Sequence, residues 1–298
     1  MDTLGLFLKD DFRFRPLAGL LSISKKELRD ADIVASFSYI KKKLSSISEE
    51  RIAQLSLLFY FINIIRKESL PFLVKGGILL QYYLSENARY TSDLDLITPY
   101  RAQDFYENLK IILDNYKGVF KFEIIKFEEQ HPTKLYYYDT FNISIICKYQ
   151  NKKYGEVFID GVSSPIYKNL IGQKYCGPSF IEDDFIFNGL QVENIIAEKI
   201  IAVTGDLLRP YKHLVDLYGL INLDIDIRKL KDYLKLILDY ENTVRNELGK
   251  ESLSDNFIIK KDQKFSGSFI LPTLQAGYKI TFEEMKNAVN EWLNNNLK

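Results

Sequence analysis

The stretch "LVKGGILLQYYLSENARYTSDLDLITPY", Leu73 to Tyr100, joins two patterns that folding alone does not explain. Gly76 and Gly77 stand in front of an apolar, helix-like run, and Asp93 and Asp95 stand inside an otherwise apolar strand. Side chains alternate along a strand, so Asp93 and Asp95 share one face while Leu94 and Leu96 turn to the core. Two carboxylates held about 5 Å apart at an effective dielectric of roughly 20 repel by roughly 3 kcal/mol. A loop could relax that cost and a strand in a sheet cannot, so positive charge is expected beside them. Mg²⁺ answers this directly, because it takes a couple of carboxylate oxygens and completes its shell with water and substrate phosphates.

The glycines supply the complementary half. A strand that turns sharply into a helix at Gly76-Gly77 lets a phosphate approach bare backbone, and the N–H groups of the first helical turn form an anion site. The pattern predicts a triphosphate cradle opposite a metal-binding strand. Two bridged metals would call for a third carboxylate. "GEVFIDGV" offers Asp160, on the face of Glu156 and Phe158 where the apolar strand ends, although Asp160-Gly161 also reads as a turn and Asp139 competes for the role.

Outward from this block, "SKKELRDADI" and "ISEERIAQLSLLFYFINIIRK" read as helices, the second ended by Pro71. A short strand "PFLVK", a helix of about three turns through Leu84, the strand "SDLDLIT" and the helix "RAQDFYENLKIILDNY" follow. Three aromatic-rich runs, "VFKFEIIKF", "KLYYYDTFNISIICKY" and "KYGEVFIDGV", predict an antiparallel extension of the sheet. After Pro178 the chain reads as helices. The expected fold is α+β, with residues 1–185 forming a sheet domain with N-terminal helices and residues 186–298 a helical lobe. In that lobe Lys199 falls inside the apolar sector of "VENIIAEKIIAVTGDLL", either snorkelling along an interface or reaching into a cleft to hold phosphate. Asp216 is a lone carboxylate in "HLVDLYGLIN" that Arg209, Lys212 or Lys199 could satisfy.

Forty basic and forty acidic residues cancel, so no global field advertises a nucleic-acid partner. Two cysteines, Cys147 and Cys176, and two histidines, His131 and His213, are too few for a zinc site or a disulfide framework, which fits a reducing cytoplasm. The N-terminus lacks the basic-then-apolar order of a signal peptide, and "LSLLFYFINII" stops short of the roughly 20 residues a membrane span needs. A soluble protein with no membrane partner is expected. No GxxxxGK[ST] occurs, which disfavours a P-loop kinase.

The order "KGG…RYTSDLDL…FIDG…AEKIIA…R…DLYGL" resembles the nucleotidyltransferase-like toxins of the AbiEii type, with the mycobacterial MenT toxins, from about Leu73 to Leu220. The resemblance implies a DNA-polymerase-β-like nucleotidyltransferase mixed sheet with flanking helices and a C-terminal helical lobe. It implies a toxin, neutralised by a separately encoded antitoxin, that arrests growth and aborts phage infection. It further implies Mg²⁺-dependent transfer of nucleotides, mainly pyrimidine, to the 3′ end of tRNA, blocking translation. On this likeness Asp93, Asp95, Lys199 and Asp216 are catalytic, Asp93, Asp95 and Asp160 hold metal, and Gly76, Gly77, Arg89 and Ser92 bind the nucleotide, whether CTP, UTP or GTP. Ile78 replaces the usual hydroxyl residue after the glycines, and the late motif, which in relatives often reads Arg-Asp-Leu-Tyr-Asp, here carries His213 and lacks one of its two acidic residues. A protein or small-molecule acceptor, or a non-catalytic GTP- or NTP-binding regulatory module, are the competing readings.

Overall fold

The computed structural model describes residues 48–298 apart from 69, 85–87, 90, 92, 119, 131–138, 150, 178–184, 206–207 and 262. The helix expected over "SKKELRDADI", and Ser92, lie outside the described residues.

The chain enters on α1 (Ser48–Lys67), then β1 (Leu73–Val74), α2 (Gly77–Leu84), β2 (Asp93–Thr98) and α3 (Ala102–Asn115). Three long strands follow, β3 (Lys121–Gln130), β4 (Asp139–Tyr149) and β5 (Lys152–Ser163), then a 3₁₀ turn (Pro165–Asn169), β6 (Gly172–Gly177) and β7 (Phe185–Leu190). All seven strands form one mixed sheet in the order β3-β4-β5-β2-β1-β7-β6. Pairing is antiparallel for β3–β4, β4–β5, β1–β2 and β6–β7, and parallel for β2–β5 and β1–β7. This is the α+β mixed sheet expected from the sequence.

Alternation decides which side of this sheet is core. On β4 Phe141, Ile143, Ile145 and Cys147 are buried, and on β5 Val157 and Ile159 are. Helix α3 presents Ala102, Phe105, Leu109 and Leu113 to that face at helical spacing, Phe105 lying 5.1 Å from Phe141 between ring centres. Helix α1 adds Leu57, Leu58, Phe61, Ile62 and Ile65. The opposite face of β3–β4–β5 carries polar and half-exposed residues.

The remaining helices are α4 (Val192–Thr204), α5 (Lys212–Leu220), α6 (Ile227–Glu247), α7 (Ile270–Gln275) and α8 (Phe282–Leu297). A two-stranded parallel pair, β8 (Arg209–Pro210) with β9 (Phe265–Ser266), ties the approach to α5 to the segment before α7. Asp226 caps α6 by accepting from the N–H groups of Arg228 and Lys229, and Thr281 with Glu284 forms a capping box on α8.

Three features differ from the sequence expectation. Strands β6 and β7 are not among the expected elements, and the expected boundary after residue 185 falls at a strand of the sheet itself. Helix α2 has eight residues, closer to two turns than three. Asp160-Gly161 is no turn, since β5 runs through to Ser163. Gly161 serves packing instead: a Cβ there would lie 2.1 Å from the Phe141 ring, which is fully buried. Gly161→Ala should therefore lower the free energy of unfolding in urea by about 1–3 kcal/mol, and adding Phe141→Leu should recover part of it. An unchanged midpoint would show that the ring yields freely.

Candidate active site

The site starts at the end of β1. Gly76 has φ +65°, a left-handed conformation that glycine tolerates best, and it swings the chain from β1 into α2. The turn lies directly against β2. A Cβ on Gly76 would fall 1.9 Å from Asp95 Oδ2, and one on Gly77 would fall 2.4 Å from Thr91 Oγ1. The Gly77 N–H donates to Asp95 Oδ2 at 3.2 Å, and the Lys75 N–H to the Asp95 carbonyl at 2.9 Å. Both glycines are thus required by close approach, and one carboxylate oxygen of Asp95 is tied to the turn.

On β2 the alternation is as expected, with Leu94 and Leu96 fully buried and Asp93 and Asp95 half-buried on the other face. The β2–β5 ladder sets Asp95 beside Asp160 and Asp93 beside Phe158. Asp139 pairs with Ser163, three register positions away and on the alternate face. The register therefore brings Asp160, and not Asp139, to the aspartate pair.

The charge expected beside these carboxylates is partly supplied by the chain. Lys75 pairs with Glu198 of α4 at 3.2 Å. Burial works against its charge, but Glu198 and then Asp95 and Asp160 outweigh that and raise its pKa. Solvent still reaches the Asp160 side chain, yet protein crowds its carboxyl; this desolvation and Asp95 push its pKa up, Lys75 and Lys212 pull it back, and Asp93 adds to the rise. The sequence reading missed Lys75 in this role, although it stands directly before the glycines.

Among the described residues no group of three or more His, Cys, Asp or Glu side chains gathers in a way that could hold a metal ion. The donor chemistry still suits a hard cation. Asp95 and Asp160 flank one another on adjacent strands with Asp93 on the same face, and Mg²⁺ needs only one or two protein carboxylates when phosphates and water complete its shell.

The residues expected to act from the helical lobe form one ion-paired centre, in which Lys199 is the partner that satisfies Asp216. Asp216 is 1% exposed and accepts from Arg89 through Nε at 2.8 Å and Nη2 at 3.1 Å, while Lys199 Nζ lies 3.0 Å from its Oδ2. Lys199 also lies 3.1 Å from His213 Nδ1. Lys199 is buried, so it neither snorkels nor opens freely into a cleft. Burial opposes the charge on Asp216, but Lys199 and Arg89 more than compensate and hold its carboxyl below the usual range. These ion pairs join the segment before β2 to α4 and α5. His213 is pushed well below its ordinary pKa by burial and by Lys199, Lys212, Arg209 and Arg89, so it is neutral and its Nδ1 accepts from the Lys199 ammonium.

A family model described as nucleotidyl transferase AbiEii toxin, type IV TA system, matches residues 61–294. The chain belongs to that family, and its class of activity is nucleotidyl transfer by the toxin of a toxin–antitoxin pair. It is similar in fold to MenT4, a nucleotidyltransferase toxin of Mycobacterium tuberculosis H37Rv, at 10% identity and a TM-score of 0.54 over 87% of each chain. Looser likenesses are to an antigenic nucleotidyltransferase-like protein of Paracoccidioides brasiliensis, at 12% identity and TM-score 0.40 over 68% of this chain and 95% of that one. A Megavirus polyadenylate synthase follows at 16% identity and TM-score 0.35 over 76% of this chain and 45% of that one. No curated protein sequence matches. A type IV system implies a separate antitoxin. Among the described residues no helix is long and apolar enough to cross a membrane.

The buried neutral histidine makes a pH prediction. The unfolded chain binds a proton at His213 near 6.5 and the folded chain does not, so folding stability should fall as pH drops below that value. The slope approaches about 1.4 kcal/mol per pH unit for one proton. Asp216 adds acid loss only below its ordinary 3.8, and the raised Asp160 carboxyl acts with the opposite sign in wild type and variant alike, so the difference between their urea midpoints from about pH 5 to 7 reports the histidine. His213→Asn keeps an acceptor for Lys199 and should flatten the curve; parallel curves for the two proteins would contradict the assignment.

Proposed function

We propose that this toxin is a Mg²⁺-dependent nucleotidyltransferase that moves a nucleoside monophosphate from a triphosphate to an RNA acceptor, the 3′ end of tRNA, and so blocks translation in the bacterial cytoplasm. The observation that carries the reading is the single polar face on which Asp93, Asp95 and Asp160 lie beside the Gly76-Gly77 turn. Growth arrest that limits phage spread, held in check by the antitoxin, is the corresponding biology.

In this mechanism the turn at the head of α2 receives the β- and γ-phosphates on its backbone side, with the Gly77 N–H already held by Asp95 Oδ2 and the next N–H groups of the helix start facing the anion. Asp95 and Asp160, with Asp93 on the same face completing the set once phosphate and water are bound, would hold Mg²⁺, which when bound neutralises phosphate charge and orients the reacting oxygens. Lys75, already drawn toward Asp95 and Asp160, keeps this carboxylate cluster from repelling the incoming polyphosphate. The acceptor hydroxyl oxygen forms a bond to the α-phosphorus as the bond to the β-phosphate bridging oxygen breaks. Pyrophosphate leaves with the electron pair and the hydroxyl proton passes to water. Arg89, Lys199 and Asp216 act as positioning residues that hold the lobe against the β2 segment.

The test supplies the purified protein with Mg²⁺, each α-³²P-labelled triphosphate in turn and total bacterial RNA, beside Asp93→Ala. Label in the tRNA band that falls at least roughly a hundredfold in the variant is expected, and the triphosphate that labels best names the nucleotide. Label that survives Asp93→Ala, or label only in a protein band, would overturn the proposal.

A further inference from the structure

Displacement at phosphorus needs the attacking oxygen and the leaving group on opposite sides of the reacting atom. The strand order places the glycine turn at β1, the aspartate pair on β2 and Asp160 on β5. If pyrophosphate departs over the turn, the acceptor approaches from the β5 side, across the polar face of β5, β4 and β3.

Two rows of side chains cross that face. One runs Asp95, Asp160, Asn142, Glu128; the other runs Asp93, Phe158, Ser144, Lys126. In the second row Phe158 is 38% exposed, and it is the only exposed phenylalanine among those whose side chains are described. The hydrophobic core has no use for a ring there, since the core face of β5 belongs to Val157, Ile159 and Gly161. Its neighbours across the strands are the Asp93 carboxylate, about 4.8 Å away in strand spacing, and the Ser144 hydroxyl.

We propose that Phe158 is the platform on which the terminal base of the RNA acceptor stacks, fixing the acceptor hydroxyl over Asp93 and Asp160. The inference rests on the RNA-transfer reading above and deepens it. A flat exposed ring with the Ser144 hydroxyl on one side and the Asp93 carboxylate on the other matches a nucleotide, whose base stacks while its sugar hydroxyls hydrogen-bond to both; beyond Ser144 the Lys126 ammonium is paired with Glu128. The residue sets position and acceptor choice; the bonds made and broken are those of the proposed reaction.

The test compares wild type, Phe158→Ala and Phe158→Trp. In steady-state transfer, Phe158→Ala should raise the KM for RNA at least roughly tenfold, the size of one lost base–aromatic stack, with the KM for the triphosphate within about twofold. Phe158→Trp should restore the RNA KM. Independently of turnover, an acceptor-stem oligonucleotide ending in 2-aminopurine should lose fluorescence on binding wild type and Phe158→Trp, and keep it on Phe158→Ala. A rise confined to the triphosphate KM, equal 2-aminopurine signals in all three proteins, or no rescue by tryptophan would overturn the proposal. If wild type labels no RNA, the parent reading fails, and the 2-aminopurine comparison still decides whether Phe158 stacks a base.

Discussion

The Asp95 carboxylate is the constraint on which the site depends. One of its oxygens accepts from the Gly77 N–H, and the same oxygen occupies the space a side chain on Gly76 would need. The turn out of β1 and the polar face of β2 are therefore built against each other. Shifting either strand by one residue would move the aspartates to the core face and the leucines to the surface, because the side-chain period of a strand is two. Packing behind the sheet guards that register: Leu94 and Leu96 have no exposure, and Gly161 on the neighbouring strand makes room for Phe141.

A second ion-paired centre fixes the helical lobe. Asp216 is buried with the forked guanidinium of Arg89 on one side and the Lys199 ammonium on the other. Breaking a buried pair by removing one partner costs far more than the pair is worth in net stability, so such a centre specifies arrangement more than it strengthens the fold. Lys75 and Glu198 bridge the same two parts nearer the aspartates. The two bridges together hold α4 and α5 against the segments that flank β2, the interior strand that carries Asp93 and Asp95.

How much of this was legible in the sequence follows from how local each feature is. Gly76-Gly77 and Asp93-x-Asp95 could be read because a strand's alternation and a glycine turn act over a few residues. The antiparallel β3–β4–β5 extension was legible for the same reason. Strands β6 and β7 were hidden, since "GQKYCG" and "FIFNGL" are short, contain glycine and precede a strongly helical run. Long-range pairing was legible only in part: Lys199 was among the partners expected for Asp216, but Arg89 lies 127 positions from that aspartate and nothing local joins the two. Asp160 could be set above Asp139 only once the register was known. Lys75 was overlooked because nothing local distinguishes a lysine before glycines from a solvated one.

The central claim is that the face between β1 and β5 holds both the triphosphate and its metal. The most direct measurement is a crystal structure with Mn²⁺ and a triphosphate analogue carrying a non-hydrolysable α–β bridge, read by the anomalous signal of the manganese. A manganese peak is expected between the Asp95 and Asp160 carboxylates, with Asp93 alongside and the β- and γ-phosphates against the Gly76-Gly77 turn. A nucleotide bound elsewhere, or bound there with its manganese away from all three aspartates, would contradict it.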